Sequence, residues 1–317
     1  MRRAIAAEFA SLPGCRVITT LDHRLGERPG PWSVAEIGPG EEDARVPELA
    51  AGADYTVLVA PETGGILEAR TRALTAAGAR LLGSLPEGVA LAGNKLKLAA
   101  HLAQRNLPTP PTQRVMPAEG LPTSFHYPAV LKPIDGAGSV DTFLVFGADE
   151  VPREARALPE AILQPMMPGI AMSASILVDR NGVATVIGHA RQRVSIHDAR
   201  FHYDGGILPI GLAGLGPLLG KAVRSVDGLR GFIGVDFLWD EAGQTATILE
   251  INPRPTTSIV GWTQVLAQGR LARAWVAAVE GAIEENERDF AAELDFDDPL
   301  TFLPDGTSGR GSGGFPP

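Results

Sequence analysis

The chain has 317 residues, 44% of them hydrophobic, enough to bury a substantial core and to divide into two or three compact lobes. Its 28 lysines and arginines stand against 37 aspartates and glutamates, and the net charge of −9 argues against nucleic acid or an anionic membrane as the main partner. A single cysteine, Cys15, excludes an intramolecular disulfide and a cysteine-based zinc cluster and fits a reducing cytoplasm. No run reaches the roughly 18 apolar residues of a membrane span, and the stretch after Arg2 and Arg3 is too short, and too interrupted by Glu8, for a secretory core, so a cytoplasmic protein is expected.

Residues 1–86 alternate between strand and helix signals. A strand is predicted over 16–21 and another over 55–60, which runs into Pro61-Glu62-Thr63-Gly64-Gly65-Ile66 and a helix through Ala77; a third strand follows over 80–83. Short apolar strands, a glycine turn and a helix suggest an open parallel sheet, whose ligands sit at the carboxyl ends of strands, where Glu62 and its glycines fall. A helix cap and a turn would explain the same residues, since two glycines alone are a weak phosphate-loop signal.

Asn94 is placed to cap a helix that begins at Lys95, carries Leu98, Ala99 and Leu102 on one face, and ends before Asn106-Leu107-Pro108 and a proline-rich connector. Residues 128–133 then read as a strand with Lys132 in an apolar run, and residues 134–139, with Gly136, Gly138 and Ser139, as a flexible loop before a strand over 142–146. A lysine in such a run needs an anion, and the glycines let backbone N–H groups approach a polyphosphate with no Cβ in the way. This is not a Walker loop: no Gly-Lys-Ser/Thr is present, and a strand follows instead of a helix.

A strand and hinge over 161–169 carry Gln164, Met166 and Met167. A hairpin is predicted from 173–178 and 183–188 around Asp179-Arg180-Asn181-Gly182, with a further strand through Ala190-Arg191-Gln192-Arg193. Arg191 and Arg193, two apart on a strand, would project to one face and suit a phosphate or carboxylate. His197, His202 and Tyr203 fall in a predicted polar loop ending at Asp204-Gly205-Gly206, with no metal-ligand spacing. A helix over 218–229 feeds the next pair of strands.

Those strands, 232–239 and 245–251, are separated by Asp240-Glu241-Ala242-Gly243-Gln244 and read as a hairpin. With the turn centred on Ala242, Asp236 lies opposite Ile248, and Glu250 is its diagonal neighbour on the same face, roughly 7–8 Å away. Asn252 shares that face, while Val235, Phe237, Leu249 and Ile251 point to the core. Two carboxylates and an amide at this spacing suit one or two Mg²⁺ ions, which take oxygen ligands and keep nucleotide phosphates in the remaining positions; Mn²⁺ fits the same donors. A solvated hairpin face is the alternative, but it does not require Arg254 alongside. Leu271, Trp275, Val279 and Ile283 stripe a closing helix, and residues from about 304 have the composition of a flexible tail.

Gly-Phe-Ile-Gly-Val-Asp236-Phe, a turn, and Leu-Glu250-Ile-Asn252-Pro-Arg254-Pro resemble the metal-binding end of the ATP-grasp superfamily, most of whose members are carboxylate-amine ligases. Upstream, Asn94-Lys95 with its short helix and proline connector, the Lys132 strand with its glycine loop, and the hinge at 164–169 stand in that family's order. The resemblance covers about residues 85–285 and implies an α/β (α+β) ATP-grasp fold preceded by a parallel-sheet domain: 1–86 as the preceding domain, 87–165 and 166–290 as the two ATP-grasp subdomains, and 291–317 as a C-terminal tail. It implies that Lys95 and Lys132 hold ATP phosphates, that Gly136, Gly138 and Ser139 form the phosphate lid, that Gln164, Met166 and Met167 flank adenine, and that Asp236, Glu250 and Asn252 hold Mg²⁺. Arg254, with Arg191 or Arg193, is the candidate for stabilising the transferred phosphoryl group or the later oxyanion.

One departure is Ala171, at the position where the family usually places a ribose-binding glutamate. Within the superfamily the Pro61-Glu62-Thr63-Gly64-Gly65 loop, Ala190-Arg191-Gln192 and Ile-Asn252-Pro-Arg254-Pro-Thr256-Thr257-Ser258 are most similar to tyramine-glutamate ligases of methanofuran-type cofactor synthesis. The implied partners are a small acid and an amine. A ligase for another amino acid or peptide, a phosphotransferase, and a nucleotide-binding regulator favoured by Ala171 stay open, as does the oligomeric state, a homodimer included.

Overall fold

The computed structural model describes residues 1–26, 30–281 and 283–310. The N-terminal lobe contains α1 (Arg2–Ala10), β1 (Ile18–Asp22), β2 (Ser33–Ile37), α2 (Glu42–Ala51) and α3 (Ile66–Ala76). The expected parallel sheet is present as β1 and β2, paired from Ile18–Ser33 to Asp22–Ile37. Its membership differs from expectation: residues 55–60 and 80–83 meet only in one parallel bridge, Thr56 to Leu81. The apolar pattern that suggested strands there serves packing, since Tyr55, Val57 and Leu82 join a core with Trp275.

Next come α4 (Pro86–Ala92) and α5 (Lys95–Gln104), whose first turn is capped by Asn94 Oδ1 accepting from the Lys97 N–H at 3.0 Å. β3 (Gln113–Val115), β4 (Ala129–Pro133), β5 (Phe143–Val145) and β6 (Ala161–Pro165) form an antiparallel array in the order β5-β4-β6-β3. Leu131, Phe143, Val145 and Leu163 fill its core.

The remaining chain supplies β7 (Ile170–Val178), β8 (Ala184–His197), β9 (Arg200–Ile210), α6 (Gly216–Arg224), β10 (Gly231–Asp240), β11 (Thr245–Asn252), α7 (Ile259–Val265) and α8 (Arg270–Glu280). The order β11-β10-β7-β8-β9 continues through β5 into the first array, joined at Phe143 and Arg200. Alternation sends Ala174, Ile176, Val235, Phe237 and Ile251 to one face, where they pack on Leu98 and Leu102 of α5 and Leu219 and Val223 of α6. The other face carries Leu177 and Phe232 against Trp262 of α7 and Trp275 of α8. Both faces are covered. Truncating Trp262, which is fully buried, would cost about 3–5 kcal/mol.

Four local expectations are corrected. β8 is one continuous strand, and the segment expected as a polar loop, with His202, Tyr203 and Asp204, is β9. Gly205 and Gly206, expected to end that loop, lie inside β9, where a Cβ would run into the backbone of Phe302 and Arg191. The helix expected to reach Leu229 stops at Arg224, although Val226 and Leu229 remain buried. Ile283 lies beyond α8 but is also buried. Finally, residues 304–310 are not a free tail: β12 (Leu300–Phe302) pairs with β9 and with β13 (Ser308–Gly309), and Phe302 is fully buried. The rest of the expected tail, 311–317, lies outside the described residues.

Candidate active site

The hairpin of β10 and β11 carries the acidic residues, and its register differs from the simple pairing. Asp240–Thr245 through Phe237–Ile248 pair regularly; a β-bulge then leaves Leu249 unpaired, and Asp236 stands directly opposite Glu250. The expected pairing of Asp236 with Ile248, and the inward orientation of Leu249, are therefore wrong. In a regular strand Ile248 and Glu250 would share a face. The extra residue lets Ile248 enter the core while Glu250 turns to the side of Asp236.

Asn252 binds the two acids together, its Nδ2 donating to Asp236 Oδ2 at 3.1 Å and Glu250 Oε1 at 3.5 Å. Burial, and then the facing Glu250 carboxylate, push Asp236 well above the usual carboxyl range. Burial also opposes ionisation of Glu250, but Lys95 and Lys132 outweigh it and hold Glu250 down to about 2. Asp236 is thus the more easily protonated member of the pair and Glu250 the more readily ionised.

Two lysines from separate elements converge on this charge. Lys95, at the start of α5, lies 3.2 Å from Glu250 Oε2 and donates to the Gly136 carbonyl at 2.7 Å. Lys132 comes from β4, where burial lowers its amine to about 8 against the opposing pull of Glu250. The loop after β4 has φ of 108° at Gly136 and 68° at Gly138, which glycine adopts without penalty, and Ser139 follows at 60°. Gly136, Gly138 and Ser139 thus share a loop of positive φ, which Lys95 meets through the Gly136 carbonyl.

The N-terminal lobe reaches the same place. Glu62 Oε2 accepts from Arg254 Nη2 at 2.8 Å, and the Gly64 N–H donates to Asp135 Oδ2, in the glycine loop, at 2.7 Å. Arg254 is further fixed by donating to the Pro255 carbonyl at 3.1 Å. Beneath this loop Thr256, Ser258, Ser175 and the Trp262 indole form a chain of hydrogen bonds of 2.8–3.1 Å. A narrow recess between the lobes is lined by Glu62, Gly93, Lys95, Gly136, Glu250 and Asn252.

The two arginines on β8 do not converge on this point as expected. Between them, Gln192 Nε2 donates to Asp236 Oδ1 at 3.0 Å. Arg191 is the cross-strand partner of Met172, so it belongs to the opposite face, and Arg193 is exposed beside a second register shift. Gln164 is buried and donates to Thr112 Oγ1 at 2.8 Å; Met166 is exposed and Met167 half-buried in the link between β6 and β7. Ala171 lies on β7 opposite Leu238. Gln192, the Glu62–Arg254 tie and the Asp135 contact had no local signal, because each joins residues at least 44 positions apart.

The donors fit a divalent cation. Two carboxylates face each other across the hairpin and an amide side chain bridges them, an oxygen-rich set of the kind that Mg²⁺ takes. Lys95, Lys132 and the glycine turn beside them fit a polyphosphate.

Residues 92–258, more than half of the chain, match the family of the ATP-grasp domain. The chain belongs to the ATP-grasp family. Residues 15–89 match the pre-ATP-grasp domain, in keeping with the parallel β1–β2 pair. The chain is 28% identical over 280 residues to a D-alanine–D-alanine ligase of Caulobacter sp., covering 78% of this chain and 80% of that protein. It is 30% identical over 212 residues to a tyramine–L-glutamate ligase of Methanocaldococcus jannaschii, covering 66% of this chain and 58% of the relative's length. Among solved structures, an L-amino acid ligase from Bacillus licheniformis superposes with a TM-score of 0.72 at 17% identity, covering 95% of this chain and 76% of that one. A biotin carboxylase domain from Hydrogenobacter thermophilus, in complex with magnesium ADP, gives 0.70 at 15%, covering 95% and 72%. These likenesses show the ATP-grasp fold, an architecture of C–N bond-forming ligases.

Proposed function

We propose that this ATP-grasp protein joins a carboxylic acid to an amine through an acyl phosphate, with glutamate as the acid and tyramine or tyrosine as the amine. The observation that carries the chemistry is the clustering of Lys95, Lys132, Asp236, Glu250 and Asn252, of which Lys95, Glu250 and Asn252 line the recess. The acid's oxygen attacks the γ-phosphorus of ATP, the bond to the ADP oxygen breaks, and the acyl phosphate forms. The amine nitrogen then attacks the acyl carbon, phosphate leaves and the nitrogen loses a proton.

No side-chain nucleophile is needed, because the protein's contribution is positioning and charge neutralisation. Lys95 and Lys132 supply fixed positive charge, and Gly136, Gly138 and Ser139 offer backbone to the phosphates. Arg254 meets charge that develops on the transferred phosphoryl or the tetrahedral oxyanion. Mg²⁺ held by Asp236, Glu250 and Asn252 would add Lewis-acid charge on the phosphate oxygens. Gln164, Met166 and Met167 line the adenine side, and Arg191 and Arg193 are the candidates for the acid's carboxylate.

The choice of glutamate and tyramine is supported by the tyramine–L-glutamate ligase likeness, which spans 58% of that relative. A different amino acid as the acid is the second reading, favoured by the longer match to the D-alanine–D-alanine ligase. ADP release, measured across the amino acids with and without tyramine, tests both. Release that needs glutamate and tyramine together supports the first, and release with another pair replaces it.

A further inference from the structure

Glu62 has one oxygen engaged and one without a partner. Its Oε2 takes the Arg254 guanidinium at 2.8 Å, in a pair whose side chains are 5% and 10% exposed. Its Oε1 is fully enclosed and, among the described residues, has no hydrogen-bond donor. Burying a carboxylate oxygen without a donor is costly. A glutamate serving only to hold Arg254 would use both oxygens in a two-pronged pair, the geometry that a guanidinium favours. Arg254 instead leaves its Nε buried without an acceptor, and it turns Nη1 to the Pro255 carbonyl.

Glu62 lines the recess together with Lys95, Glu250 and Asn252 and packs over Gly93, where an added Cβ would come within 3.5 Å of the Glu62 Cγ. Lys95 suits phosphate oxygens. The unpartnered Glu62 Oε1 is an acceptor, which repels phosphate and carboxylate and attracts N–H. We infer that Glu62 Oε1 is the acceptor for the N–H of the incoming amine, so that the N-terminal lobe supplies the amine-binding residue of the ATP-grasp site. This assignment rests on the ligase reading above and specifies its second substrate as an amine recognised by charge-assisted hydrogen bonding.

The test separates the two half-reactions. Positional isotope exchange in ATP labelled with ¹⁸O in the β,γ-bridge reads reversible acyl phosphate formation without any amine, and product formation with tyramine or hydroxylamine reads the second step. Wild type and Glu62→Gln are compared using the amino acid that gives exchange in wild type, and magnesium ADP binding by calorimetry verifies that the variant is folded. Loss of one hydrogen bond to a charged group predicts that kcat/KM for the amine falls about 10- to 100-fold further than the exchange rate does. Glu62→Asp, which keeps the charge, should recover part of the amine step. Equal losses in exchange and in the amine step would show that Glu62 works only through Arg254, and no loss in either would show that its oxygen binds nothing; each result overturns the inference. Absence of exchange in wild type with every amino acid is read in that arm alone, and it removes the ligase reading and this inference together.

Discussion

Asp236 and Glu250 are direct cross-strand partners because Leu249 is bulged out of the ladder between β10 and β11. Two buried acids so placed make the metal-free protein sensitive to pH in opposite directions. Asp236, raised by burial and by Glu250, contributes stability that is fully present below its unfolded value near 3.8 and is lost as pH rises through its higher folded value. Glu250, held down to about 2, contributes stability above its unfolded value near 4.5 that is lost as pH falls toward 2. Asp236→Asn should therefore raise metal-free stability at pH 7–8 while weakening magnesium-dependent nucleotide binding. Urea unfolding with and without magnesium ADP checks this, and a variant less stable than wild type at pH 8 without metal would contradict it.

Lys132 and Lys97 make a matched pair for the phosphate role, since Lys97 is exposed on α5 and Lys132 is buried on β4. Lys132→Met should weaken magnesium ADP binding about 10- to 100-fold, and Lys97→Met less than about twofold. Because burial lowers the Lys132 amine to about 8, the free protein loses that charge as pH rises past 8. Binding of the nucleotide favours the charged form, so affinity should drop above pH 8 and binding should take up a proton. Calorimetry in two buffers of different ionisation heat reads the proton directly; a pH-independent affinity between 7 and 9 would remove Lys132 from the phosphate site.

Glu8 ties the two ends of the chain together. Its carboxylate accepts from the backbone N–H groups of Leu271 and Ala272 at 2.9 and 3.1 Å and from Gly269 at 3.2 Å, at the N-terminus of α8. Glu8→Ala leaves these buried donors without an acceptor and should cost about 2–4 kcal/mol in urea unfolding. A change below about 0.5 kcal/mol would mean that α1 does not cap α8.

Local chemistry made much of this protein legible in its sequence. The Asn94 cap, the lysine in the β4 run and the acid-bearing hairpin each depend on neighbours within a few positions, and each lies where the pattern put it. The register of that hairpin was not legible, because a bulge at Leu249 leaves no mark in a run of apolar and acidic residues. Gln192 was hidden for a related reason. The pairing of β8 with β7, Ser173 opposite Ala190 and Met172 opposite Arg191, decides which residue of Arg191-Gln192-Arg193 meets Asp236. Gly205 and Gly206 read as the end of a polar loop, whereas they permit close packing inside β9. The Glu62–Arg254 pair spans 192 positions and arises only when the two lobes meet.

The most direct measurement of the central claim is hydroxamate formation. An acyl phosphate is captured by hydroxylamine, so the protein supplied with ATP, Mg²⁺, glutamate and hydroxylamine should release glutamyl hydroxamate and ADP in equal amounts without tyramine. Hydroxamate from another acid but not from glutamate would keep the ligase chemistry and replace the acid. Consumption of ATP that gives a stable phosphorylated product and no hydroxamate with any acid, or nucleotide binding with no consumption at all, would contradict the account.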